Sequence, residues 1–146
     1  MFSAIFAFAQ SEKTGTITAT AGIGGGFYSK METGPQFSFL FDLNFINKTG
    51  LTLCLTNIIS VNTYPTQNMM FGGGYTYLRD RWNIGGTIIA SPTLFDLMLG
   101  GKINGGYYFS NNIGVNGIIT YRRTAGLGAS EFSMFDVFAG VSVRLF

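Results

Sequence analysis

Side chains that exchange protons, attack substrates or ligate metals are scarce in this chain of 146 residues. It has no histidine and a single cysteine, Cys54. The first absence removes Ser-His-Asp and Cys-His nucleophiles and every imidazole metal site. The second leaves no partner for an internal disulfide, so Cys54 reads as a small hydrophobe on a strand. The charged residues that fall inside extended segments are Asp42, Lys102, Arg122, Asp136 and Arg144. Asp42 and Asp136 could formally serve as a general acid and base, but basic residues are available to pair with both. Ion pairing is therefore the expected chemistry. "GIGGG" at 22 and "GLGAS" at 126 lack both GxGxxG and a following Lys-Ser/Thr, so neither is a phosphate loop. The chain reads as non-enzymatic, with no catalytic residues, no cofactor and no metal.

Those charges are carried by segments with a period of two. In "FSFLFDLNFI", residues 37–46, Phe37, Phe39, Phe41, Leu43 and Phe45 point one way while Ser38, Asp42 and Asn44 point the other. Seven further stretches alternate likewise, at about 15–29, 51–64, 68–78, 82–90, 97–109, 113–122 and 135–145. Asn57 is the one polar residue that falls on an apolar parity in the third. The connections also alternate. "NKTG" at 47, "RDR" at 79 and "SNN" at 110 are tight turns, and the "NKT" triplet reads as a turn rather than a glycosylation acceptor. Between them lie the longer polar links "KMETGPQ", "YPTQN", "ASPTLFD" and "RRTAGLGASEFS". "GGYTY…WNIGGTII" echoes "GGYYF…NNIGVNGII", a repeated hairpin.

Hydrophobic residues make up 47% of the sequence and charged residues 11%, against about 25% charged in ordinary soluble domains. No run in the sequence reaches the roughly 18 consecutive apolar residues of a membrane helix. Net charge is +2 without a run of like charges, so no nucleic-acid footprint is present. Short turns at one end and longer links at the other are expected of an outer-membrane barrel, with both termini on the short-turn side. The remaining question is which parity faces inward. An eight-stranded barrel has an interior just wide enough for side chains to fill. The glycine-rich parity fits that space and the aromatic parity does not, so the Phe face is assigned to lipid. Two girdles of aromatics then follow: Tyr75, Tyr77, Trp82, Tyr107 and Phe109 at the tight-turn end, and Phe27, Phe37, Tyr121 and Phe135 at the other. An arginine is expected to cost more at Phe41 or Ile103 than at the lumen positions Thr52 or Asn116.

In this architecture, and in the C-terminal Phe146 of "GVSVRLF", the chain resembles the small outer-membrane β-barrel proteins of the OmpA, OmpX and OmpW type over roughly residues 14–146. Barrels of that group end in a Phe recognised by the assembly machinery, usually with a Tyr two residues earlier, where this chain has Arg144. The resemblance implies an all-β, eight-stranded antiparallel transmembrane up-and-down barrel at residues 10–146, located in the bacterial outer membrane. Residues 1–9, with Ala7-Phe8-Ala9 before Gln10, read as a signal-peptide remnant. Its partners would be outer-membrane lipid, the assembly machinery during insertion and an extracellular partner bound through the loops. Two functions are compatible with this reading: an anchor that presents short extracellular loops for surface interaction and a narrow porin-like channel for small solutes. The alternative of a soluble lipocalin-like ligand-binding barrel is disfavoured by the bulk of the aromatic parity. Asp42, Lys102, Arg122, Asp136 and Arg144 fall on the lumen parity. Arg122 is expected close to Asp136 near the outer mouth, and Asp42 could meet Lys102 across the interior. They form either a charge network that plugs the barrel or solvated side chains in a wet lumen.

Overall fold

The computed structural model describes residues 15–28, 36–61, 66–92, 97–125 and 133–145. The proposed signal-peptide remnant and Phe146 lie outside them. The elements are eight strands: β1 (Thr16–Tyr28), β2 (Gln36–Ile46), β3 (Leu51–Val61), β4 (Thr66–Arg79), β5 (Trp82–Pro92), β6 (Leu97–Tyr108), β7 (Ile113–Ala125) and β8 (Ser133–Arg144). Each pairs antiparallel with its neighbour, and β1 pairs with β8 to close the barrel.

The turns are built by local hydrogen bonding. Asn47 Oδ1 accepts from Thr49 N at 3.0 Å and Leu51 N at 2.9 Å, the side-chain-to-backbone bonding that makes Asn a turn former. Gly50 follows at φ 92°, and a Cβ there would press within 2.6 Å of the Tyr75 ring. Both facts require glycine. The β4–β5 turn consists of Asp80 and Arg81 alone, with Asp80 at φ 42°.

Register fixes the barrel's width. The paired residues run Thr16, Ile46, Thr52, Gly74, Thr87, Lys102, Thr120, Asp136 and Gly26, so one circuit returns to β1 ten residues beyond its start. With eight strands, that stagger tilts each strand by roughly 40–45° from the barrel axis. Strands of 11 to 14 residues then span about 25–30 Å, the height of the apolar band of a membrane barrel.

Alternation decides what each face meets. The outward residues Phe41, Ile88 and Ile103 are 52%, 74% and 61% exposed, whereas the inward Leu40, Ile58 and Thr56 are at most 1% exposed. In water such an outer surface would be unstable. In lipid it requires that every backbone group be paired, which closure achieves.

The structure departs from the sequence-based expectation in three places. Strands extend further toward the longer links than the apolar alternation does: Gln36, Thr66 and Gln67, Ser91 and Pro92, and Arg123–Ala125 belong to strands. The inward Gln36, Ser91 and Thr124 are polar, so these ends look like loop in sequence while the backbone stays paired. Second, the inward parity is not only glycine and polar residues. Leu40, Cys54, Ile58, Met70, Ile89, Ile118 and Phe138 form a buried apolar cluster inside the barrel. Third, Thr52 and Asn116 are buried at 0% and 4% exposure. An arginine there would overpack the lumen, so lumen positions are not the cheap ones.

Two outcomes test this fold. Folded and boiled samples should migrate differently on a detergent gel, and the far-ultraviolet spectrum should be that of β-structure. Phe41→Arg or Ile103→Arg should lower unfolding free energy in lipid by roughly 2–4 kcal/mol, while Phe41→Leu should cost well under half of that.

Candidate functional site

The chemistry of this chain is concentrated in its lumen, where the inward-facing residues form three tiers. At mid-height, Asp42 on β2 and Lys102 on β6 reach across the interior from opposite walls. Lys102 Nζ lies 2.6 Å from Asp42 Oδ1, and both side chains have no exposed surface. The carboxylate accepts two further bonds, from Thr56 Oγ1 at 2.5 Å and Asn44 Nδ2 at 2.6 Å. The ammonium donates also to Asn44 Oδ1 at 3.0 Å and Thr56 Oγ1 at 3.3 Å. A buried ion pair needs such extra partners to offset the desolvation of its charges. Beside it lie Ile118, Leu40 and Phe138, each at most 2% exposed.

Toward the longer links, Arg122 Nη2 bonds Asp136 Oδ2, again with neither side chain exposed. The contact is diagonal, since Arg122 is opposite Met134 and Asp136 is opposite Thr120. Thr120 Oγ1 adds a bond to the same oxygen at 3.3 Å. This pair is less complete: Arg122 Nε and Nη1 and Asp136 Oδ1 are buried without partners. Two glycines make room for it. A Cβ on Gly26 would collide with Asp136 Oδ1, and one on Gly100 would come within 3.1 Å of Arg122 Cγ.

At the tight-turn end, the half-buried Arg144 lies over the Tyr108 ring, 4.1 Å from its centroid, a cation–π contact. Its Nη1 donates to the Asp80 carbonyl at 3.2 Å. The Tyr108 hydroxyl is held by Ser142 Oγ at 3.1 Å and Asn83 Nδ2 at 3.3 Å, and Ser142 Oγ accepts from Thr20 Oγ1 at 3.1 Å.

The structure thus brings Asp42 to Lys102 and Arg122 to Asp136, and sets Arg144 apart at the mouth. Tyr108 and the apolar cluster were missed in the sequence reading. The signal was available, because several strand centres are apolar on both parities: "FLF" at 39, "MMF" at 69 and "II" at 58, 88 and 118. The aromatic positions assigned to the two girdles all lie on the outer parity. Trp82 and Tyr107 pack at 4.7 Å between ring centroids, with Tyr75, Tyr77 and Phe109 on the same tight-turn half. Phe27, Phe135 and Tyr121 are consecutive register partners at the opposite end, where Phe37 meets Phe39 edge-on at 5.2 Å. In the β4–β5 turn, the fully exposed Arg81 hydrogen-bonds Tyr107, which raises its guanidinium pKa above the ordinary value. Among the described residues, no three of His, Cys, Asp or Glu gather as metal ligands.

The sequence matches no protein-family model and no curated protein. Solved structures do resemble the fold. A designed transmembrane β-barrel matches at TM-score 0.62 and 12% identity, covering 92% of this chain and 98% of that one. Neisserial surface protein A matches at 0.59 and 13%, covering 90% and 97%. Ail, the attachment invasion locus protein of Yersinia pestis, matches at 0.56 and 7%, covering 90% and 99%. At these identities the likeness is one of fold: a small eight-stranded transmembrane β-barrel.

If the central pair is structural, removing one charge should be worse than removing both. Lys102→Met alone is expected to destabilise by about 3–5 kcal/mol, and Asp42→Leu with Lys102→Met together by less, measured by urea unfolding in lipid vesicles. Gly26→Ala should also destabilise, because its methyl group displaces the Asp136 carboxylate.

Proposed function

We propose that this chain is an integral, non-enzymatic outer-membrane barrel whose lumen is closed, and that it acts as a rigid anchor presenting its longer links at the cell surface. The observation that carries this reading is the Asp42–Lys102 pair, which spans the interior with no exposed side-chain surface and with all its charges bonded. An ion crossing that level would have to break a fully satisfied pair in a low-dielectric setting. The inward Leu40, Ile58, Met70, Ile89, Ile118 and Phe138 add apolar filling to the same lumen. Support for the outer-membrane setting comes from the even strand number, the two- to four-residue turns at one end and the aromatic girdles. The links that would carry recognition are residues 29–35, 62–65, 93–96 and 126–132, and those following β1 and β7 are the longest.

A second reading, the narrow conduit, is favoured by one observation. The unpartnered Arg122 Nε, Nη1 and Asp136 Oδ1 are the kind of group that ordered water completes. Water would then enter from the outer mouth at least to that tier. Planar-bilayer recording of the refolded protein separates the two readings. The closed anchor is expected to show no resolvable conductance, with Lys102→Met plus Asp42→Leu still closed by the apolar cluster. Steady single-channel openings of the unmodified protein would favour the conduit.

A further inference from the structure

A groove of about 830 Å³ lies on the lipid-facing surface and crosses from β5 through β6, β7, β8 and β1 to β2. Its floor is made of small residues in succession. Gly105 pairs with Gly117 and Gly117 pairs with Ala139, while on β1 the direct partner of Ala139 is Ile23 and Ala21 lies diagonal to it. Glycine alone does not mark this place. Gly86 and Gly101 also face lipid, but each sits between bulky partners, Gly86 between Tyr75 and Ile103 and Gly101 between Ile88 and Tyr121. Among the described residues, only along the groove do lipid-facing small residues pair directly across neighbouring strands.

The barrel's own packing does not demand them. A Cβ on Gly105 or Gly117 would meet only ordinary contacts, the nearest at 3.9 and 3.8 Å. That contrasts with Gly26, where the lumen leaves no space. Glycine weakens a strand, so its use here points to something lying outside the wall.

The two ends of the groove differ in chemistry. At the tight-turn end are Trp82 and Tyr107, with Arg79 as the register partner of Trp82 and Arg81 bonded to Tyr107. At the far end are Ile23, Phe39 and Phe41. A cationic, aromatic mouth at interface level leads into an apolar trough. Crossing five inter-strand spacings of about 4.8 Å gives the trough a length of roughly 20–25 Å. The hydrocarbon of one leaflet is only about 15 Å deep, so a whole acyl chain fits along the oblique floor.

We propose that this groove seats one phospholipid of the leaflet on the tight-turn side. Its acyl chain lies over Gly105, Gly117, Ala139 and Ala21, and its phosphate sits on Arg81 and Arg79. The proposal rests on the membrane reading above.

Trp82 is the sole tryptophan of the sequence and stands at the groove's mouth, so its fluorescence reports occupancy. The protein is refolded into phosphatidylcholine vesicles doped with phosphatidylglycerol brominated on its acyl chain. Quenching of Trp82 should saturate at a low mole fraction and be several-fold stronger than in Gly117→Leu or Gly105→Leu, whose side chains fill the trough. Arg81→Ser should shift the saturation to higher mole fraction. Heat-modifiable gel migration of the same samples reports the membrane barrel separately, so failure of the fold and failure of the seat are distinguishable. Quenching that rises in simple proportion to brominated lipid, and equally in all variants, would overturn the proposal. So would equal quenching by a brominated hydrocarbon without phosphate, or protection of Trp82 by a crosslinkable second barrel.

Discussion

In hydrocarbon a backbone N–H or C=O without a partner is worse than almost any side-chain misfit. For this chain that means β1 must find β8, and the rest of the architecture follows from how they meet. Closure with eight strands and a ten-residue stagger sets a narrow interior. A narrow interior must be filled by side chains, which is why the lumen-facing Gly26 and Gly100 sit opposite Asp136 and Arg122, whose paired side chains take the space a Cβ would need. It also leaves no room for loosely hydrated charges, so the fully buried ionisable residues of the inner parity meet in pairs. The lipid face, by contrast, is under no packing constraint of its own, and its residues answer to the membrane.

Much of this was legible in the sequence, for a specific reason. Where one face meets lipid and the other meets a polar lumen, alternation is strong, as in "FDLNF" at 41. Strand existence, order, facing and the lumen placement of the five charges can all be read from it. The signal fails at two heights. At the middle of the barrel both faces turn apolar, so alternation does not assign Leu40, Met70 and Phe138 to the inside, and only the doubled apolar runs mark them. At the outer mouth both faces turn polar, so Thr66 and Gln67 and Arg123–Ala125 look like loop although their backbones are paired. Periodicity reports contrast between faces, and it goes silent wherever the contrast vanishes.

The lumen's tiers also differ in how completely they are satisfied. The central pair has every charge matched, and its neighbours Asn44 and Thr56 each serve both ions. The Arg122–Asp136 pair leaves three polar atoms open, and Arg144 at the lower mouth relies on an aromatic ring and a turn carbonyl. Satisfaction therefore decreases from the centre toward both mouths, although Arg122 and Asp136 are as fully buried as the central pair. Sequence parity could place each charge on the inner face, but not rank them by completeness, because that depends on the residues one tier away.

The Asp42–Lys102 contact has a further consequence for which barrel forms. A strand slipping by one residue reverses every side chain and is opposed along its whole length. A slip by two keeps each face correct, leaving lipid and lumen residues on their proper sides, so hydrophobic patterning barely distinguishes it from the native pairing. It would, however, carry Asp42 some 6–7 Å along the wall relative to Lys102, separating two charges that are 2.6 Å apart in the native fold. Each would then be stranded in a dry interior. Joining strands four apart around the wall, the pair senses the accumulated offset of every seam between them. It acts as a vernier on the offset accumulated along the seams from β2 to β6.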